Sequence, residues 1–209
     1  MAELGVVPAQ EGGVHVIQQT GAGLLPVEIR FKDGRPQRVT MTQLEAKFSA
    51  AKPGKKALAA ALGLTTKDFS TQLPSEYVST GIFNLMIPLK NRAALGKIAM
   101  NIPALRKVLG KNGTMAYCFA LGDNGKVFSR GMLPWELYED PATGSSAGSL
   151  GAYLVKHGKL NSGHTLQILQ GAEMGRSSDI EVEVSHSNKK LIPRVSGAAV
   201  KVFEGTIRV

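Results

Sequence analysis

The chain has 209 residues, 43% of them hydrophobic and 20% charged, with one cysteine and a formal net charge of +9. That length buries a real core as one large domain or two small ones, no apolar run approaches the ~18 residues of a membrane span, and the lone Cys118 cannot close an internal disulfide, which fits a reducing, cytoplasmic setting. The Lys and Arg residues are scattered, aromatics make up only 6%, and no stretch interleaves the two as single-strand binders do, so a basic surface that serves small anionic substrates, or solubility alone, is favoured over nucleic-acid binding.

The opening MAELGVVPAQEGG lacks the basic start and apolar core of a secretory signal. Residues 14–42 then alternate, which predicts an antiparallel β unit. Val27, Ile29 and Phe31 share its apolar face, and Lys32-Asp33-Gly34-Arg35 forms a hairpin turn. Within 43–75 the stretch EAKFSAAKPGKKALAAALGL holds a short Ala-Leu helix, a connecting loop follows, and a domain junction falls near Pro74. YVSTGIFNLMIPLK reads as a strand, a glycine turn and a second strand ending at Pro88. Residues 91–110 place Leu95, Ile98, Ala99 and Ile102 at helical spacing until Pro103, which breaks or kinks the helix. AYCFAL and GKVFSRGML are strands joined across Asp123-Asn124-Gly125.

Further strands are TLQILQG and DIEVEV, the latter with Ile180, Val182 and Val184 on one face and Asp179, Glu181 and Glu183 on the other. AAVKVFEGTIRV closes the chain as a hairpin around Glu204-Gly205. Many short strands with a few helices and long-range antiparallel pairing make an α+β protein rather than a βαβ array. Glycine-rich nucleotide loops, zinc-ligand spacing and the G-x-S-x-G elbow are all missing, so nucleotide, metal and hydrolase readings lack support.

The stretch EDPATGSSAGSLGAYL, residues 139–154, carries the most chemistry. Pro141 holds Asp140 extended, so a helix starts only after the proline, capped by Thr143 or Ser145. Gly144, Gly148 and Gly151 weaken that helix by about 1 kcal/mol each relative to alanine. Its faces are small or apolar all round, so the helix is buried and its glycines point to strands packed closely against it. The free N–H groups at its start, among hydroxyls, form a seat for a carboxylate or phosphate. Asp140 beside that seat orients a substrate, transfers a proton, or simply complements the helix dipole. A second segment, QGAEMGRSSDIEV (170–182), sets Arg176, Ser177 and Ser178 in a turn that either meets an anion or is a plain polar hairpin.

These segments together resemble the phenazine-biosynthesis PhzF-like family, of the diaminopimelate epimerase-like fold. Glu139-Asp140-Pro141-Ala142-Thr143-Gly144-Ser145-Ser146-Ala147-Gly148 matches its central signature, and Gln170-Gly171 with Met174-Gly175-Arg176 and Ser178 matches its closing segment, Ser177 standing where proline is usual. The Ser79-Thr80-Gly81 turn also looks familial, and order and spacing agree from about Gly5 to the C-terminus. The resemblance implies two half-domains, each an antiparallel curved sheet around a central helix. Residues 1–74 would be the remainder of the first, 75–194 the second with central helix 145–156, and 195–209 C-terminal strands closing the sheet.

It further implies an isomerase or epimerase that moves a proton on a small carboxylic acid by acid/base chemistry, without metal or organic cofactor. Asp140 is its catalytic candidate, and Thr143, Gly144, Ser145, Ser146, Gly81 and Arg176 are its substrate-binding candidates. Two-thiol racemisation, used elsewhere in this fold, is disfavoured, because Thr143 stands where the second cysteine would fall. The family's usual first strand, catalytic glutamate and Gly-His helix are not found, and residues 1–5 look like the end of that helix. The chain therefore reads as beginning inside the first half. Two expectations follow. The face of Val27, Ile29 and Phe31 would lack its cover and be met by a second copy, a swapped segment or the missing part as a separate chain, with a homo-oligomer favoured. The rival to the enzyme reading is a non-catalytic anion-binding or interaction module.

Overall fold

The computed structural model describes residues 2, 5–51, 53–110, 113–136 and 139–206. Eleven strands are present: β1 (Val14–Thr20), β2 (Gly23–Lys32), β3 (Arg35–Thr42), β4 (Lys47–Ala50), β5 (Glu76–Ser79), β6 (Phe83–Pro88), β7 (Met115–Leu121), β8 (Lys126–Met132), β9 (Thr165–Gln170), β10 (Ser178–Ser187) and β11 (Lys190–Gly197). Four helices accompany them: α1 (Lys55–Leu62), α2 (Arg92–Gly96), α3 (Ile102–Leu109) and α4 (Gly144–Lys156).

Local chemistry accounts for most of the boundaries. Asp33 and Gly34 take φ of 53° and 74° between β2 and β3, the positive pair that a two-residue hairpin turn demands. Asn188 and Lys189, at 50° and 65°, do the same between β10 and β11. The helical spacing over 91–110 resolves into two helices, each with its own asparagine cap. Asn91 Oδ1 accepts from Ala94 N at 3.0 Å and Asn101 Oδ1 from Ala104 N at 3.1 Å. Pro103 sits in the first turn of α3, where its missing N–H is harmless, instead of interrupting a helix.

All the strands join one sheet in the order β1-β2-β3-β11-β10-β9-β8-β7-β6-β5-β4. The pairing is mostly antiparallel, as expected, with two additions: β6 runs parallel to β7 and β8 parallel to β9. Parallel neighbours need a long crossover, and the helical segments between them supply it, α2 and α3 in the first case and α4 in the second. Helix α4 packs against β5 and β6 and also against β10 and β11, which lie far apart in the strand order, so the sheet curls around it.

Strand β7 shows how the core divides. Its alternation sends Met115, Tyr117 and Phe119 to the α4 side with Leu150, Tyr153 and Val182. Ala116, Cys118 and Ala120 go to the other side with Leu58, Leu62, Leu95 and Leu105 from the outer helices. A strand covered on both faces reads as a continuous apolar run, as MAYCFAL does.

Two further expectations are corrected. Val27 and Ile29 are each only 7% exposed within the single chain, so β2, next to the sheet edge, is not bare there; cross-strand neighbours Val14, Val16, Val39 and Met41 flank them. Phe31 keeps the alternation of β2 and is half-buried, the register shift opposite it being taken up by an extra residue of β3, Gln37. The closing hairpin is absent from residues 198–206, which form no strand, so the sheet ends with β11 at Gly197. Strands β4 and β11 are additions to the sequence reading. Most of the 1–5 stretch read as a helix end, and the end of the closing hairpin, lie outside the described residues.

Candidate active site

Helix α4 begins at Gly144, directly after the Asp-Pro step, and every residue from Ser146 to Leu154 is buried. Two of its glycines are packing requirements. A Cβ on Gly151 would lie 2.6 Å from Val182 Cγ1, and one on Gly148 would lie 1.9 Å from Gln43 Oε1. Gly144 is different, for its nearest neighbour would be Val195 Cγ1 at 3.9 Å, and it faces open space.

Thr143 occupies the N-cap position, yet its hydroxyl makes no cap hydrogen bond. The reason is competition. The Thr143 hydroxyl donates to Asp140 Oδ2 at 2.7 Å and accepts from Gln170 Nε2 at 2.9 Å. Ser145, the other candidate cap, lies inside the helix. The first-turn N–H groups of α4 thus remain without a side-chain cap, the usual condition for an anion seat.

Asp140 is held by its backbone as well. Its N–H donates to Gly131 O at 2.9 Å, extending β8, and its carbonyl accepts from Gln170 Nε2 at 2.7 Å. Asp140 Oδ1 accepts from Ala142 N at 3.3 Å. Gln170 is wholly buried and its amide is saturated, since Oε1 also accepts from the Tyr117 hydroxyl at 2.8 Å and from Thr143 N at 3.2 Å. Burial pushes the Tyr117 phenol well above its usual titration range, so it stays a donor. Gly171 completes the clasp, because a Cβ there would sit 2.9 Å from Pro141 O.

One residue upstream, Glu139 forms a two-pronged pair with Arg130, Nε to Oε1 at 2.9 Å and Nη2 to Oε2 at 2.7 Å. Arg130 Nη1 also donates to Leu95 O at 2.8 Å, tying this turn to α2. Both side chains are nearly buried, and burial works against the Arg130 charge while Glu139 more than compensates, leaving the guanidinium raised above its ordinary value.

A cleft of 1430 Å³ opens between the face of β2 and β3 and the start of α4. Pro141, Ala142, Gly144 and Ser145 line it at the start of the helix, Gln43 and Thr80 lie in contact with them, and Gly81, Arg176, Ser177, Ser178 and Asp179 add to the lining. Leu25, Val39, Met41 and Ile180 supply an apolar wall. The structure thus brings four of the sequence candidates together: Gly81, Gly144, Ser145 and Arg176. Gly81, at φ 146°, takes a backbone conformation that favours glycine.

The other three candidates lie off the wall. The Ser146 hydroxyl donates into the core to Met115 Sδ at 3.3 Å, and the helix turn dictates this, since Ser145 takes the cleft side. The side chains of Asp140 and Thr143 are bonded to each other at the cleft's margin, with Asp140 half-buried and partly open to solvent. Gln43 was not singled out by the sequence, and Thr80 and Gln170 stood out only as members of matching segments with no role given, for nothing local marks a side chain that acts across a long sequence separation.

A second hollow of 900 Å³ lies between α1, α3 and β4. It is lined mainly by small apolar side chains such as Ala50, Ala57, Ala60 and Ala104 and carries no carboxylate, so the chemistry points to the larger cleft. Among the described residues no group of three or more His, Cys, Asp or Glu side chains is arranged to hold a metal ion, and no helix is long and apolar enough to cross a membrane.

Comparison with known proteins agrees with this architecture. An uncharacterized isomerase of Bacillus subtilis, YfhB, is 33% identical over 199 residues, an overlap of 91% of this chain and 66% of that protein. The trans-2,3-dihydro-3-hydroxyanthranilate isomerase of Pseudomonas chlororaphis is 30% identical, covering 90% of this chain and 66% of its own length. The chain therefore spans about two thirds of the length of the curated relatives it matches. In fold it is similar to the crystal structure of a Bacillus anthracis phenazine biosynthesis protein of the PhzF family, with a TM-score of 0.82, 24% identity, and coverage of 96% of this chain and 70% of that one. The family model described as phenazine biosynthesis-like protein matches residues 3–205. The chain belongs to that family, the PhzF-like proteins.

Proposed function

We propose that this protein is an isomerase or epimerase that moves a proton on a small carboxylic acid. The observation carrying this reading is the cleft at the start of α4, where uncapped first-turn N–H groups, the Ser145 hydroxyl and Arg176 surround a volume closed by an apolar wall. In this reading the substrate carboxylate sits on the N–H groups of Gly144 and Ser145, with Arg176 adding charge at the rim. The apolar wall takes the carbon skeleton, which places aromatic and cyclic amino acids among the candidate substrates.

Asp140 is the acid/base group. The Thr143 hydroxyl holds one carboxylate oxygen, and the more weakly engaged Oδ1 is the atom available for proton transfer. A second reading is favoured by one observation, that Asp140 stands at the margin of the cleft and not on its wall. In that reading the protein binds a carboxylate without turning it over.

Proton NMR in deuterated water separates the two. Wild-type protein incubated with a panel of aromatic and amino carboxylates is expected to wash deuterium into the carbon next to the carboxylate of at least one compound. Asp140→Asn is expected to lose that exchange by roughly 10²–10⁴-fold while still binding the compound. Binding without exchange in the wild type would establish the non-catalytic reading, and unaltered exchange in Asp140→Asn would remove Asp140 from the chemistry.

A further inference from the structure

Gln43 directly follows β3, and its side chain lies against α4. Its backbone N–H donates to Pro193 O at 2.9 Å, which fixes where the side chain starts. Gln43 Nε2 donates to Gly144 O at 3.0 Å, and Oε1 accepts from the Thr80 hydroxyl at 2.7 Å. That hydroxyl, its proton given to Gln43, can accept from the Ser149 hydroxyl at 3.4 Å. The side chain rests on Gly148, where an added Cβ would come within 1.9 Å of Gln43 Oε1 and 2.7 Å of Cδ. Both ends of the amide are bonded, so making room for a Cβ would cost the glutamine those bonds. The glycine in the second turn of α4 therefore exists to admit this glutamine.

The amide has one sensible orientation. Flipped, its oxygen would face the carbonyl of Gly144, two acceptors in contact. Nε2 consequently points to the first turn of α4, on a residue that lines the cleft beside Gly144 and Ser145. Of its two N–H groups, Gly144 O takes one.

We propose that Gln43 is a ligand-binding residue of this cleft, whose second amide N–H donates to the carboxylate seated on the first turn of α4. This rests on the carboxylate reading above and extends it: the seat is completed by a donor delivered from the β1–β3 part of the sheet, and Gly148 holds that donor in place.

The test is calorimetric titration with 3-hydroxyanthranilate, and with 2-aminophenol as the same ring without the carboxylate. Gln43→Ala is expected to weaken 3-hydroxyanthranilate by about 10- to 100-fold, the factor a hydrogen bond to a charged group carries, and to leave 2-aminophenol unchanged. Gln43→Glu, which puts a second carboxylate at the seat, is expected to abolish binding of the acid. Gly148→Ala displaces the glutamine without touching its chemistry and is expected to match Gln43→Ala, while the double variant binds no more weakly than Gln43→Ala alone. Gln43→Met keeps the side-chain volume and serves if Gln43→Ala fails to fold. Wild-type affinity in Gln43→Ala or Gln43→Met would overturn this inference alone. A wild type that binds neither compound would overturn the carboxylate reading and this inference with it.

Discussion

Gly151→Ala sets two well-known effects against each other at one atom. In an open helix the change stabilises by about 1 kcal/mol, because alanine loses less conformational freedom than glycine. In α4 the new methyl would stand 2.6 Å from Val182 Cγ1 and 3.0 Å from Val184 Cγ2, well inside the ~3.5–4.0 Å of comfortable carbon contact. Both valines are fully buried, and β-branched side chains have few rotamers to escape into. They also belong to β10, which is held on both sides by β9 and β11. Overpacking of this kind costs about 1–3 kcal/mol, and clashes with two stiff neighbours put Gly151 in the upper part of that range. The expected net result is destabilisation by about 1–2 kcal/mol, read from the shift of the urea midpoint at constant slope. Gly96→Ala, where an added Cβ meets nothing within 4 Å, is the control and is expected to be neutral or slightly stabilising. The double variant Gly151→Ala/Val182→Ala should recover part of the loss through a coupling of at least about 0.5 kcal/mol. A Gly151→Ala protein as stable as the wild type, with no coupling to Val182→Ala, would refute the claim that close helix–sheet approach selects this glycine.

Arg130→Met leaves Glu139 nearly buried without its partner, so a loss of about 3–5 kcal/mol is expected in urea denaturation. The paired variant Arg130→Met/Glu139→Leu should be less damaged than Arg130→Met, since no charge is then stranded. Cys118 is fully buried, and burial pushes its thiol up to about 12. Because the raised value keeps the thiolate scarce below that pH, Cys118 is expected to resist a thiol reagent at pH 8 in the native protein and to react promptly once urea unfolds the chain; rapid native labelling would contradict its placement in β7.

The legible parts of this protein are those set by neighbouring residues. Alternation located β2 and β10, a short apolar run located β7, the Asp33-Gly34 pair located a hairpin, and the Asp-Pro step located the start of α4. Two strands escaped notice for local reasons. Pro193 interrupts the apolar pattern of β11 as a residue that cannot donate to a ladder, and β4 has only four residues, KFSA, most of them exposed. The site was legible only in outline. The motif at 139–146 announces a helix start with hydroxyls around it, but a list of hydroxyls does not say which way each one points. Ser145 and Ser146 are neighbours in sequence, and a helix turns successive side chains by about 100°, so one faces the cleft and the other the sulfur of Met115.

By itself, the sequence determined the α+β class, the buried glycine-bearing helix and the acid beside it, because period, turn chemistry and proline act over a few residues. Only the tertiary structure decided that Thr143 serves Asp140 instead of capping the helix. It alone showed that Gln170 orients both residues, and that Gln43 lies on Gly148 from a position 101 residues away from the Gly144 carbonyl it meets. These are choices among competing hydrogen-bond partners. A hydroxyl or an amide takes whichever partner the fold brings within about 3 Å, and that proximity is set by how the sheet wraps around α4.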